Sequence, residues 1–533
     1  MDTKETDIVA VSPYRDAQSP SEHDDDKVVS KSVPEKFRGT TTDRHDMLLL
    51  GKKQVLRRNF NFLTMLGFSS TVMTAWEILP IISVFALEDG GLPIVFWAAI
   101  VGTVGLSFVY ASLAEVASMF PTAGGQYHWV SELAPPRFQK GLSYSVGWLV
   151  ALGWQVYLAS VCFMIGGVIQ GLIALNVESY VPRPYHATLL AMAVVAFAII
   201  FNTVLAVRLP LIEGTVLILH VAGLFAVIIP LWVMAPRGNA RDTLLVFTNS
   251  GGWPSTGLAA LIGMTSVVGT LVGYDCSVHM SEEVKDASRT VPRTLLWSFI
   301  PNALMFLVMG VTYIFCIGDL DSVMSTAYGQ PFIQVFFNAT QSNAGTTVMV
   351  VIIIVMLTSA AIGEVATASR QLWSFARDEG LPGSTWLSKV SPGWNIPLRA
   401  VVVSFVVTSL LSLVNLGSSE ALNAITSLGG MSILFSYFLT LSCLVWRRLF
   451  GAPLPPRPWS MRRYGIFVNV AALVFVTPML FFYVWPLTTP VTPQNMNWSI
   501  VLFFGVLLVA AIHYLVKARH VYVGPVMLVK RVQ

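Results

Sequence analysis

Three features of the 533-residue chain predict an all-α polytopic membrane protein: twelve apolar stretches of bilayer length, basic residues gathered in alternate connecting segments, and a composition 54% hydrophobic but only 12% charged. The stretches cover roughly 60–86, 93–119, 142–175, 186–207, 211–234, 256–279, 294–317, 346–372, 398–416, 421–446, 466–486 and 498–516. Each is near or above the roughly 20 residues that a helix needs to cross the hydrocarbon layer. Helix is the predicted state because backbone polar groups in lipid must be satisfied within the segment.

Orientation follows from charge. With the N-terminus placed in the cytosol, the inner segments from Lys52 onward hold 23 Lys and Arg, whereas the outer loops hold three, Arg183, Arg237 and Arg241. Short basic loops resist translocation, so both termini are expected in the cytosol. Two glycosylation sequons, at Asn338 and Asn497, fall in or beside segments that this assignment puts outside.

Residues 1–45 include Asp24-Asp25-Asp26 among Ser, Pro, Glu and Lys, and their low apolar content predicts a disordered cytosolic tail. Residues 46–516 are expected to form one twelve-helix membrane domain and 517–533 a short cytosolic tail. The first span is expected to act as the uncleaved insertion signal. Cys162, Cys276, Cys316 and Cys443 lie in or at spans with no paired spacing, which predicts buried structural thiols, no metal and no cofactor. A net charge of +4 spread over inner loops gives no reason to expect a nucleic-acid partner. The absence of G-x-x-x-x-G-K-[ST] argues against an ATP-driven pump, and the absence of a G-x-S-x-G elbow or paired metal ligands argues against a membrane-embedded enzyme.

Function is sought where polar residues enter the spans, because a charge at the bilayer centre costs roughly 2.5–3.5 kcal/mol even on insertion scales. Glu77, Glu115, Glu213, His220, Asp275, Glu282 and Glu364 are such residues. Small and hydroxyl residues also cluster in two spans, at Gly67–Glu77 in the first and Gly263–Asp275 in the sixth. Paired interruptions in corresponding helices of two halves point to a transporter's midplane site. Their separation by five helices suggests two inverted sets of five followed by two extra helices. Close helix packing is the competing explanation for small residues in either stretch alone.

The segment Phe120-Pro121-Thr122-Ala123-Gly124-Gly125-Gln126-Tyr127-His128-Trp129 resembles a loop of the amino acid–polyamine–organocation superfamily, and more closely its fungal amino acid/choline transporter family, which includes GABA and choline permeases. Ala134-Pro135-Pro136, Gly273–Val284 and Ala368–Pro382 carry the same resemblance, which covers roughly 60–516. It implies a leucine-transporter-like fold with helices 1 and 6 broken at a central site, alternating access, and uptake of an amino acid or related amine, usually driven by protons.

On that resemblance the helix 1 break falls on Met73, Thr74 and Ala75, and the helix 6 break on Gly269, Thr270, Leu271, Val272, Gly273 and Tyr274. Amide groups at the first break would meet a substrate carboxylate and carbonyls at the second an amine, consistent with the polarity of helix ends. Met73-Thr74-Ala75 replaces the commoner Gly-rich triplet, which keeps choline-like or decarboxylated substrates open. Tyr274 is expected as a gate over the substrate. His220, mid-span, is the candidate for proton coupling, with Glu364 able to pair with it or to meet a cationic substrate. Glu77 is able to do the same from above the first break; Glu77 and Asp275 are further candidates for an amine contact or a gate, and Glu115, Glu282 and Glu283 for ion pairs near an inner gate. The alternatives are a transporter of a specialised metabolite or its amino-acid-derived precursor, and a nutrient-sensing receptor. The plasma membrane is the expected location.

Overall fold

The computed structural model describes residues 29–417 and 419–526. Among them eleven helical stretches are long and apolar enough to cross a membrane, and Thr256–Gly269 is a shorter apolar helix. The sixth apolar stretch of the sequence is thus divided: helix α9 (Thr256–Gly269) ends, the chain unwinds, and a single turn, α10 (Cys276–His279), resumes it.

The first span is divided in the same way, into α2 (Phe62–Met73) and α3 (Ala75–Glu88). Between them Thr74 adopts a left-handed conformation, φ 33° and ψ 46°, a strained state for a residue with a Cβ. At the second break Gly273 has φ 128°, which glycine alone adopts readily. A Cβ there would also lie 2.9 Å from Met73 Cε, so the two breaks meet.

Around them stand α4 (Leu92–Met119), α6 (Gln139–Asn176), α7 (Pro184–Thr203), α8 (Leu209–Met234), α11 (Ala287–Cys316), α13 (Asn343–Arg377) and α14 (Leu398–Leu413), then α15 (Ser419–Phe450), α16 (Gly465–Phe482) and α17 (Ser499–His513). Spans five places apart pack on each other: α3 on α9, α4 on α11, α6 on α13 and α7 on α14. This is the pairing that an inverted repeat places about its two-fold axis. Two-residue strands β1 (Asp89–Gly90) and β2 (Thr248–Asn249) pair antiparallel beyond α3, tying it to the segment that enters α9.

The chain's two ends differ from the sequence expectation. Residues 1–28 lie outside the described residues, but ordered structure begins by Val29, not at 46. Thr40 and Asp43 form a capping box on helix α1 (Thr41–Leu49). Asp43 also accepts from the Asp286 and Ala287 amides at 3.0 Å, capping α11, and pairs with Arg58 at 3.1 Å. Composition hid this segment because its few apolar anchors, Val29, Val33 and Met47, are spaced far apart. At the other end helix continues from α17 through Val521, and buried Tyr522 shares a 2.7 Å hydrogen bond with Ser143 Oγ.

Candidate functional site

The loops rich in Lys and Arg mark one end of the bundle, called here the basic end. Between the two breaks and the opposite end lies a cavity of about 260 Å³. Val72 and Met73 come from α2, Ile78, Ile82 and Phe85 from α3, Gly269, Thr270 and Val272 from the second break, Tyr157, Ser160 and Val161 from α6, Glu364 from α13, and Thr426 and Ser427 from α15. Tyr483, Trp485, Leu487 and Asn497 cover it from the segment between α16 and α17.

The wall is mostly apolar, so its polar atoms stand out. Thr265, Ser266 and Thr270 donate to carbonyls three residues back, each at 2.7 Å, leaving their oxygens as acceptors. Glu364 Oε2 and the Tyr157 hydroxyl are buried without a hydrogen-bond partner. A carboxylate left unpaired in such a place is either protonated or awaiting a cation. Gly363 sets its position: a Cβ there would fall 2.2 Å from Val72 Cγ2, so only glycine lets α2 lie this close to α13 beside Glu364.

Tyr110 on α4 holds the second break open. Its hydroxyl donates to the Leu271 carbonyl at 2.7 Å and accepts from the Gly273 amide at 3.1 Å, satisfying backbone groups that the missing helix turn frees.

His220 belongs to a separate, fully buried cluster. Asn302 Nδ2 donates to the Ser298 carbonyl at 2.9 Å, which turns its Oδ1 toward His220 Nε2 at 2.8 Å and fixes a proton on that nitrogen. The other nitrogen, Nδ1, lies 2.6 Å from Glu77 Oε1. Two acceptors thus flank one ring, and a second proton must lie between His220 and Glu77, as an ion pair or as a carboxylic acid donating to imidazole. The expected His220–Glu364 pairing is not present: Glu77, in the first turn of α3, meets the buried face of α8, while Glu364 faces the cavity.

Of the residues expected at the breaks, Met73, Gly269, Thr270 and Val272 line the cavity. Thr74 and Ala75 form the junction behind it. Tyr274 is not over the cavity; it is buried between Tyr110 and Phe299, with ring centroids 5.4 and 5.3 Å away. Asp275 is fully engaged, accepting from Gln126 Nε2 at 2.6 Å and from the Tyr437 hydroxyl, with His279 Nε2 at 3.3 Å. Both of its oxygens are thus engaged by side chains of the bundle. Asn338 sits within helix α12 (Pro331–Thr340), its Oδ1 accepting from Gln334 at 2.8 Å. Asn497 donates its amide to the carbonyls of Tyr483 and Trp485 at 3.1 and 3.4 Å.

The basic end is shut by ion pairs. Arg377 grips Glu282 through both terminal nitrogens at 2.7 and 2.8 Å, and Arg370 Nε meets Glu283 at 2.7 Å. Burial alone would raise the Glu282 carboxyl, but the Arg377 guanidinium holds it at about 2. Lys52 reaches Asp378 at 3.3 Å, its own pKa lowered by burial and by Arg377 nearby. Tyr127 donates to Asp378 at 2.8 Å. Glu115 accepts from Arg448 and, at 2.7 Å, from Arg457. Lys52, Tyr110, Tyr157, Asn302, Asp378 and Tyr437 escaped sequence reasoning, although Tyr127 and Asp378 lie within the quoted resemblance segments.

Residues 60–506 match the family described as amino acid permease. A protein named as an amino acid/polyamine transporter, from Macrophomina phaseolina, is 30% identical over 82% of this chain and 96% of its own length. Amino-acid permease 2 of Neurospora crassa is 27% identical over 91% of this chain and 90% of its own. The choline transporter of Saccharomyces cerevisiae is 26% identical over 87% and 82%.

Proposed function

Because the chain belongs to the amino acid permease family, whose members are multi-pass membrane transporters and not enzymes, we propose that it is a proton-coupled permease for a small amine-bearing solute: GABA, choline or a similar amino acid or amine. The observation that carries this reading is the buried Glu364 carboxyl in the cavity beside both breaks, whose Oε2 has no hydrogen-bond partner among the described residues. A substrate ammonium or quaternary ammonium supplies the missing positive charge. A substrate carboxylate, where there is one, finds the Tyr157 hydroxyl and the amides that begin α3. Relatives named for choline and for amino acids or polyamines fit this preference for a cation.

Coupling is assigned to His220 and Glu77. They share a proton directly behind the first break, on the half-helix that also forms the cavity wall, so losing it changes the force on α3. Alternating access then requires the Glu282–Arg377 and Asp275–Gln126 contacts to open while the Tyr483–Asn497 segment closes. The basic end faces the cytosol, with both termini, and the protein resides in the plasma membrane.

The test is uptake of radiolabelled GABA, choline, proline and lysine into cells lacking their own permeases, at pH 5 and 7.5, with and without a protonophore. Saturable uptake, greater at pH 5 and abolished by the protonophore, is expected for at least one substrate. Surface expression with no uptake of any of them would overturn this assignment and favour a specialised metabolite or a sensing role.

A further inference from the structure

The segment joining α15 to α16 carries Arg447, Arg448, Arg457, Arg462 and Arg463. Basic residues here are sufficient to set topology wherever they point. Instead all five converge on one cavity of about 540 Å³, completed by short apolar residues such as Leu454 and Ile466. Among the described residues Glu115 is the one carboxylate that pairs with them, and of the five arginines it takes Arg448 and Arg457. Arg447 Nε is buried without an acceptor. Arg462, which also lines the cavity, holds a left-handed backbone, φ 50°, a strained state for a residue with a Cβ.

The surroundings identify what fits. Leu449, Phe450, Tyr464 and Phe467 beside this cavity are 58, 75, 60 and 67% exposed. At the end of a membrane span such apolar side chains meet acyl chains, while guanidinium groups at the same depth meet phosphate oxygens through paired N–H donors. The geometry points to a binding site for the headgroup of an anionic phospholipid in the leaflet at the basic end. On the orientation proposed above this is the cytosolic leaflet, which carries the anionic lipids. Bound there, the phosphate takes the Arg447 and Arg462 donors and leaves the Glu115 clamp on α4 intact.

Full-length protein is reconstituted in nanodiscs of phosphatidylcholine alone or mixed with phosphatidylserine, extracted gently, and retained lipid is counted by native mass spectrometry. Phosphatidylserine is expected to be retained selectively, less so as salt rises. R447Q/R462Q is expected to weaken retention about thirtyfold, since each basic residue near an anionic surface contributes about 1 kcal/mol. R447K/R462K keeps most of it, which separates charge from folding. Equal retention in R447Q/R462Q and wild type overturns the site, as does salt-independent retention by the wild-type protein if the Gln variant does not fold. Displacement of the lipid by soluble glycerophosphoserine or inorganic phosphate at comparable concentration overturns the lipid assignment.

Discussion

The two ends of this permease use buried charge in opposite ways. At the basic end Glu282, Glu283, Asp378 and Glu115 each meet a cation, and most also accept a further hydrogen bond. In the cavity, Glu364 meets none. Satisfied charge fixes a conformation; unsatisfied charge is stored affinity, released when a solute of opposite sign arrives. On the function proposed above, recognition and closure can therefore be told apart by counting partners, even though both rest on buried acids.

The largest test removes the stored affinity. Glu364→Gln is expected to lower kcat/KM for a cationic substrate at least about thirtyfold, from the roughly 2–5 kcal/mol that a lost buried charge pair costs. The melting temperature should hold or rise, because an unpaired buried acid has been neutralised. Uptake kinetics beside thermal unfolding separate the two effects, and retention of full activity would sink the assignment.

Breaking the opposite end comes next. Glu282→Gln strands Arg377, at a cost of about 3–5 kcal/mol to the closed form, and Cys276, buried just beyond this network, becomes a reporter. Its labelling by maleimide applied from the basic side is expected to accelerate, and the charge swap Glu282→Arg with Arg377→Glu to slow it again. The sign of the pH dependence is set by the depressed carboxyl. Glu282 contributes its full stabilisation above its ordinary value near 4.5 and loses it only as pH falls toward about 2. The Glu282 contribution to closure is therefore expected to be flat from pH 5 to 8, so a pH response of transport in that window arises from another group.

His220→Gln locates it. Uptake should lose its preference for pH 5 and its sensitivity to protonophore, while substrate exchange across the membrane survives. A proton-dependent gradient that persists in the variant would remove His220 from the coupling role.

The smallest effect is expected at the first break. Thr74→Gly relieves a left-handed conformation costing about 1–2 kcal/mol, less about 0.4–1 kcal/mol for glycine's greater freedom when unfolded. A gain of about 0.5–1 kcal/mol should appear as a slightly higher melting temperature with transport intact.

How much of this was legible depends on whether the signal is local. Apolar runs, the two broken helices and Glu364 show in sequence because each is an anomaly against its own neighbours. His220 was legible as a polar intrusion, with Glu364 and Glu77 both open to it as partners; which of the two it meets was not legible, since pairing depends on how α8 is rotated. A clue existed: Glu213 and His220 are one heptad apart and share the buried face of α8, the first reaching Thr71 at 2.6 Å and the second Glu77. Lys52 and Asp378 stand 326 residues apart, and no local pattern joins them. The order at residues 29–45 was missed because capping by Asp43 depends on α11, more than two hundred residues away.

The cover over the cavity has a consequence for how this protein is processed. Asn497 holds the Tyr483 and Trp485 carbonyls with its side-chain nitrogen, the same atom that would carry a sugar. Glycosylation replaces one of that nitrogen's two hydrogens and so leaves a single N–H for the two carbonyls. A sugar at this sequon would leave one of the two carbonyls without its donor and the cover over the cavity less firmly tied.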